Sequence, residues 1–281
     1  MTLLVTGGTG ILGGTSGRNG VGGSIHPSVG FDFWKSSVIN HWDTDVFIHS
    51  WSTEAKQTLV DLYQPKKFIV EEQREFNPDL KLYGDLSLEA LSKDRRYLDL
   101  VKEYSQENID ECHPSLLSGD SSNLWEHLKY QVWCQHSKWY ANQQAVRLKR
   151  EAEEENNFIY DYVVLGRFDL YFRSVFPFDT LDQEKFYASP RNHGKSFRPD
   201  HDIALMDMWF LSPSKMMDRF ANLYDSIYDY CVTGPHASRE RIVELFGHEA
   251  LKYLFLDGID YGALRHIYSD DQIPKFAKDG E

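Results

Sequence analysis

The chain has 281 residues, 41% of them hydrophobic and 14% aromatic, so it can bury a large core within one folded unit. Its formal net charge of −13 argues against a general nucleic-acid binder, which normally presents a basic face. The three cysteines are widely separated and include no CxxC pair, which fits a reducing compartment and predicts no structural zinc site.

No stretch of the sequence reaches the roughly 18 to 20 apolar residues that cross a bilayer. The amino terminus also lacks a charged segment followed by an uninterrupted apolar one, as a secretory signal requires. We therefore expect a soluble, cytoplasmic protein with no membrane span and no nucleic-acid partner. The high aromatic content leaves room for a homodimer surface.

The first predicted strand, Leu3 to Thr6, leads into a segment rich in glycine. Ten of the nineteen glycines fall within the first thirty residues. A loop with so many free backbone amides can cradle phosphate, and an arginine within it can reach a phosphate or a base. The candidate nucleotide-binding residues in this segment are Gly7, Gly8, Gly14, Ser16 and Arg18.

Two other interpretations of the glycine segment stay open. The run Thr6 to Gly13, TGGTGILG, is similar to the opening of short-chain dehydrogenases, which implies an NAD(P)-dependent dehydrogenase or epimerase. A helix should begin within that fingerprint, yet further glycines follow, each costing about 1 kcal/mol relative to alanine in a helix. The spacing from Tyr63 to Lys67 matches YxxxK but contains Pro65 and comes too early for that family's catalytic pair. The third interpretation is a flexible surface loop.

The next elements alternate between helix and strand, as in one half of a doubly wound sheet. Ser50 and Trp51 end the second strand, where they would lie beside a nucleotide with the indole as a stacking face. A tryptophan at a strand end equally suits the core. The predicted helices are Pro27 to His41 and Thr53 to Leu62, and the predicted strands are Asp45 to Trp51 and Lys67 to Glu71.

A long helix and a buried strand form the middle of the chain. Residues 73–122 predict an insertion, and a helix follows from Asn123 to Glu155, whose tail from Arg147 we expect to be solvated. The apolar, β-branched run Tyr162 to Leu165 predicts a strand buried on both faces. This strand delivers Arg167 and Asp169 to its carboxyl end, where open α/β sheets bind ligands.

Further on, a polar stretch precedes the short predicted strand Met208 to Leu211. Ser212 to Ser214 then caps a predicted helix from Lys215 to Tyr230. The last informative segment, Phe246 to Glu249, precedes a predicted amphipathic helix through Leu256.

Three segments resemble glycosyltransferases of the GT-A type, especially those that build capsular or viral surface glycans. They are SGR at 16–18, DVFIHSW at 45–51 and YDYVVLGRFD at 160–169. The resemblance implies transfer of a sugar, with xylose, glucose or galactose as candidates, from a nucleotide diphosphate such as a UDP-sugar. The implied acceptor is the glycan of an oligosaccharide or glycoprotein.

The resemblance also implies roles for particular residues. GT-A enzymes often hold Mn²⁺ or Mg²⁺ on a DxD motif, because hard cations take carboxylate and phosphate oxygens together. Here Asp169 supplies one carboxylate, and a carboxyl-terminal His248 is the candidate further ligand. Depending on the alignment, Arg167 or Tyr171 stands where a second carboxylate is expected. Arg167 would either bind the diphosphate or form an ion pair with Asp169. Asp207 is the candidate general base, with Asp202 as its rival.

The sequence therefore predicts a single α/β domain of GT-A type, with a mixed, mostly parallel sheet flanked by helices. A catalytically silent carbohydrate-binding protein is a third alternative, because the carboxylate motif is incomplete. The predicted divisions of the single domain 1–281 are a nucleotide-binding half at 1–72, an insertion at 73–122, a metal and acceptor half at 123–268 and a loosely packed tail at 269–281.

Overall fold

The computed structural model describes residues 2–7, 27–79, 82, 121–190, 205–230, 234–255 and 259–264. The described strands are β1 Thr2–Gly7, β2 Asp45–Ser50, β3 Lys67–Val70, β4 Tyr162–Arg167, β5 Leu170–Phe172, β6 Phe186–Pro190, β7 Leu205–Pro213, β8 Leu251–Tyr253 and β9 Tyr261–Ala263. The described α-helices are α1 Pro27–Trp34, α2 Lys56–Tyr63, α3 Ser121–Asn156, α4 Ser214–Ala221 and α5 Gly234–Phe246. Shorter helical turns span Lys35–Ile39, Thr53–Ala55, Phe178–Thr180, Asn222–Asp229 and His248–Ala250.

Seven of the described strands form one sheet in the order β3-β2-β1-β4-β7-β6-β8. The pairs from β3 to β4 and the pair β6–β8 are parallel, whereas β7 runs antiparallel to both β4 and β6. β5 and β9 form a separate antiparallel pair. The predicted mixed α/β class is confirmed. The expected sheet was mixed and mostly parallel, and the seven-stranded sheet is mixed, with the antiparallel β7 between parallel strands. The separate antiparallel pair of β5 and β9 was not expected.

Strand β4 lies at the centre of the sheet and is buried on both faces, as predicted. Val163 and Leu165 point into one core, and Tyr162 and Val164 point into the other. Side chains of a strand alternate between faces, so a continuous apolar run suits a strand that is covered on both sides. The β-branched valines also favour the extended backbone.

Helices cover each face of the sheet and give the chain three layers. α1 and α2 pack on one face, together with β5 and β9. α3, α4 and α5 pack on the other face, where α3 crosses β1, β2 and β3. Within the described ranges, no helix is both long and apolar enough to cross a membrane.

The carboxyl-terminal prediction of a helix through Leu256 is wrong. α5 ends at Phe246, and Gly247 follows with a φ of 83°, in the left-handed region that favours glycine. The chain then forms a short turn and strand β8, which pairs in parallel with β6. The predicted helix Lys215 to Tyr230 is also shorter than expected, since α4 ends at Ala221 and tighter 3₁₀ turns continue to Asp229.

The charged tail of α3 is not solvated throughout, which corrects a second expectation. The Lys149 side chain is fully buried, and its Nζ lies 2.7 Å from Glu153 Oε2 and 2.8 Å from Asp218 Oδ1. Lys149 also donates to the Ser214 hydroxyl, which in turn donates to Glu153 Oε1 at 2.6 Å. This buried polar cluster ties α3 to α4 through groups that satisfy one another.

The buried cluster gives a stability prediction. Lys149→Met removes the cation and leaves two carboxylates together in the interior. We expect the free energy of unfolding to fall by about 3 to 5 kcal/mol, as when one partner of a buried ion pair is removed. Urea unfolding measures this change.

The matched control for that measurement is Arg147→Met on the same helix. Arg147 is 46% exposed and pairs with Glu151 at 3.0 Å, so its loss should cost no more than about 0.5 kcal/mol. A similar cost for the two variants would show that the Lys149 cluster does not anchor the helix.

Candidate functional site

The carboxyl ends of β1, β2, β3 and β4 meet at one edge of the sheet. Gly7 pairs with Ser50 and Thr6 pairs with Arg167, so the ends of β2, β1 and β4 are level. Helices α1 and α2, which lie between β1 and β3 in the chain, pack on one face of the sheet. Helix α3, which precedes β4, packs on the other face. The gap between β1 and β4 is therefore a topological switch point, where open α/β sheets bind ligands.

The structure brings several of the predicted site residues to this edge. β7 is antiparallel to β4 and pairs Trp209 with Gly166, so residues that precede Trp209 lie beyond the carboxyl end of β4. The predicted residues at this edge are Gly7, Ser50, Trp51, Arg167, Asp169 and Asp207. The predicted residues Gly8, Gly14, Ser16, Arg18 and Asp202 lie outside the described residues.

His248 is not part of this group. It precedes β8, whose first residue, Leu251, pairs in parallel with Phe186 at the start of β6. β7 is antiparallel to both β4 and β6, so β6 runs in the same direction as β4. β8 is parallel to β6 and therefore runs in that direction too. His248 therefore lies at the opposite edge of the sheet from Asp169.

Arg167 and Asp169 form an ion pair at the end of β4. Arg167 Nε donates to Asp169 Oδ1 at 2.9 Å, and Nη2 donates to Oδ2 at 2.7 Å. Two parallel bonds of this kind hold both groups in one orientation. The Arg167 side chain is 28% exposed and that of Asp169 only 14%, so the guanidinium is the more accessible partner.

Helix α1 holds the turn that carries this ion pair. The buried Trp34 donates from Nε1 to the Arg167 carbonyl at 3.0 Å. At Gly30, an added Cβ would lie 1.7 Å from the Phe168 carbonyl oxygen, so only glycine permits this approach of helix to turn. The main chain around Asp169 is fixed on its other side by the Leu264 amide, which donates to the Asp169 carbonyl at 2.7 Å.

A second ion pair, between Lys138 and Asp207, lies beside the first. Lys138 projects from α3 and donates to both the carboxylate and the main-chain carbonyl of Asp207. Burial lowers the pKa of Lys138, the Asp207 carboxylate partly offsets this, and the charge of Arg167 adds to the lowering. Asp207 lies two residues before Trp209, which pairs with Gly166, so Lys138 is held at the end of β4 that carries Arg167.

The Lys138 side chain was not among the predicted site residues. A sequence signal for it exists, because Lys138 is the only lysine, arginine, aspartate or glutamate between residues 131 and 146. An isolated charge within a half-buried helix needs a partner, but its partner is 69 residues away in the chain. Local periodicity therefore could not identify the pair.

Aromatic rings line the ends of β2 and β3. The Trp51 and Tyr140 rings stack with centroids 5.6 Å apart, and the Arg74 guanidinium lies 4.4 Å from the centroid of Tyr140. Trp51 is half-buried, so its ring takes part in the packing and also borders the crevice. The Ser50 hydroxyl is buried and accepts from the Ser52 amide at 3.1 Å, which shapes the turn after β2.

A buried histidine and a partly exposed carboxylate form a further polar group near this aromatic surface. His49 Nε2 lies 3.1 Å from Glu71 Oε1, and Arg74 Nη2 donates to Glu71 Oε2 at 3.0 Å. Burial opposes the charge of Glu71, but the bonds from His49 and Arg74 outweigh it and lower the pKa of this carboxyl. His49 Nδ1 is buried with no hydrogen-bond partner in the described part of the chain.

The described residues do not fit a metal site built from Asp169 and His248. Both carboxylate oxygens of Asp169 accept hydrogen bonds from Arg167, and His248 lies at the other edge of the sheet. No cluster of three or more histidine, cysteine, aspartate or glutamate side chains suited to a metal occurs within the described ranges. Mn²⁺ or Mg²⁺ binding stays a prediction.

Comparison with models of known protein families gives no match, and no curated protein is significantly similar to the chain. What the site can do chemically therefore follows from its geometry. Two cations and two carboxylates, beside stacked aromatic rings, suit an anionic ligand that carries a planar group.

The buried His49 gives a pH prediction. Burial lowers its pKa, and the hydrogen bond to Glu71 only partly offsets this. As the pH falls below about 6.5, the unfolded chain binds a proton that the folded chain does not, so stability falls. His49→Gln removes this linkage, so the loss of stability between pH 7 and pH 5 should be smaller in the variant.

Urea unfolding at several pH values measures that difference. His41→Gln is the matched control, because His41 is an exposed residue of the same type. Equal pH slopes for wild type and His49→Gln would contradict the burial of a neutral imidazole at this position.

Proposed function

We propose that the chain is a GT-A-type glycosyltransferase that transfers a sugar from a nucleotide diphosphate, with a UDP-sugar as the expected donor. The observation that carries the proposal is the gathering of Arg167, Asp169 and Asp207 at the switch-point edge, beside Trp51. A nucleotide-sugar presents a planar base, a diphosphate and a neutral sugar. This edge offers an aromatic surface, cations and carboxylates in the same region.

In the proposed reaction, Asp207 removes a proton from the acceptor hydroxyl. The acceptor oxygen then bonds to the anomeric carbon, and the bond from that carbon to the diphosphate oxygen breaks. The electron pair leaves with the nucleoside diphosphate, next to Arg167. Asp207 is 23% exposed, so an acceptor can reach it, and Asp202 stays the rival base. A base in this role is what an inverting transfer requires.

The proposed acceptor is the glycan of an oligosaccharide or glycoprotein. Xylose, glucose and galactose are the candidate sugars, and each follows from the resemblance of the sequence rather than from a contact in the site. A cytoplasmic location and a homodimer are part of the same proposal, and no helix in the described ranges is suited to cross a membrane.

Two alternatives have specific observations in their favour. The strand order β3-β2-β1-β4 is equally that of a dinucleotide-binding half, so NAD(P) is a rival ligand. The antiparallel β7 beside β4 departs from the parallel continuation of that fold. The ion pair that occupies both oxygens of Asp169 suits a catalytically silent carbohydrate-binding protein.

A thermal-shift experiment separates these alternatives. UDP should raise the melting temperature of the protein, and NAD(P) should not, since a ligand at a hundredfold excess over its Kd adds about 2.7 kcal/mol of stability. GDP and CMP test the choice of nucleotide, each with and without Mn²⁺. A shift with NAD(P) alone would favour the dehydrogenase, and a shift with glycans but with no nucleotide would favour the silent binding protein.

Asp207→Asn tests the proposed base. Turnover of the sugar donor should fall by about 10² to 10⁴-fold, because the amide cannot accept the proton. Donor affinity should fall far less than turnover, because the new amide oxygen can still accept from Lys138 and the main-chain carbonyl of residue 207 is unchanged. The control is Asp225→Asn, an exposed carboxylate on the helical turn after α4. A parallel loss of turnover and donor affinity would assign Asp207 a structural role instead.

A further inference from the structure

We infer that Lys138 and Arg167 together form a two-cation subsite for the diphosphate of the donor. This inference rests on the proposed function and names the part of the site that binds the leaving group. Lys138 reaches the carboxyl edge from α3, and Arg167 reaches it from the end of β4. No feature of either local sequence links the two residues, and the fold brings them together.

Each cation keeps hydrogen-bond donors beyond its ion pair. An ammonium has three donors, and Lys138 directs them at two acceptors, both on Asp207. A guanidinium has five donors, and within the described residues the bonds from Arg167 to Asp169 use one on Nε and one on Nη2. The two side chains are 22% and 28% exposed, so both are partly accessible from solvent.

The position of the cations relative to β1 supports a phosphate ligand. Arg167 pairs with Thr6, one residue before Gly7, where the glycine-rich segment follows in the sequence. Arg167 therefore lies beside the end of β1, and Lys138 is held by Asp207 on the next strand beyond β4. The end of β1 is the place where a doubly wound sheet receives the phosphates of a nucleotide. A diphosphate between Lys138 and Arg167 would also relieve the repulsion between the two charges.

The subsite has a direct chemical consequence. When the sugar leaves, negative charge develops on the diphosphate oxygen that had been bonded to the anomeric carbon. Fixed cations in a partly desolvated site stabilise such charge without moving. Lys138 also holds Asp207, so one residue connects the leaving-group side of the reaction with the proposed base.

The experiment measures ligand binding to the full chain by calorimetry in buffer that contains EDTA. The probes are UDP, inorganic pyrophosphate and uridine, which lacks phosphate. Lys138→Met should weaken UDP and pyrophosphate binding by about tenfold to a hundredfold, the usual effect of losing a charge-assisted hydrogen bond. Uridine binding should not change, and Lys138→Arg should restore most of the lost affinity.

Two further variants complete the design. Lys215→Met removes an exposed lysine at the start of α4 and should leave all three affinities unchanged. Lys138→Gln keeps a hydrogen-bond donor for the Asp207 carbonyl, so it serves if Lys138→Met fails to fold, and it should show the same selective loss.

Different outcomes overturn different statements. Unchanged UDP and pyrophosphate affinity in the folded Lys138 variants, with lower turnover, would overturn the subsite and leave the proposed function standing. The wild-type protein could instead bind pyrophosphate but not UDP, with pyrophosphate binding lost in the Lys138 variants. That result would overturn the proposed function and keep the anion subsite. A wild-type protein that binds neither probe would overturn both.

Discussion

The burial of β4 on both faces and along both edges determines where polar chemistry can occur in this protein. Its backbone bonds to β1 on one side and to β7 on the other, and its side chains alternate between two apolar cores. A charged group within such a strand would be isolated from water and from partners. The first charged residue of β4 is therefore its last, Arg167, and Asp169 follows where the chain leaves the sheet. The antiparallel β7 then brings Asp207 to the same edge.

Helix α3 connects this edge with the interior behind the sheet. Lys138 and Lys149 are eleven positions apart, which is about 16 Å along a helix. Lys138 pairs with Asp207 on β7, and Lys149 is fully buried against Asp218 on α4. Both lysines therefore tie α3 to the segment that runs from β7 into α4. The buried cluster around Lys149 limits how far α3 can slide or rotate, which preserves the position of Lys138 at the candidate site.

Much of the fold could be predicted from local patterns, whereas the paired charges could not. The β-branched run from Tyr162 indicated β4, and the alternation of elements before residue 72 indicated β2, α2 and β3. Long-range partners were the source of the errors. The charges after Arg147 resemble a solvated tail until Ser214 and Asp218 are known to face Lys149. The segment after Gly247 forms a strand because the β6 edge is available to it.

The pairing of each site cation with a carboxylate follows from the same energetics. An unpaired charge at a partly buried edge would be costly or would lose its ionisation, and burial already lowers the pKa of Lys138. The carboxylate of Asp207 favours the charged form of Lys138, and Asp169 orients Arg167 through two hydrogen bonds. Gly30 and Trp34 of α1 fix the main chain of the turn between β4 and β5. The guanidinium of Arg167 would therefore lose little conformational freedom on binding a ligand. Under the proposed function, this arrangement would preorganise the site for the anionic donor, because the cost of holding its cations together is met during folding.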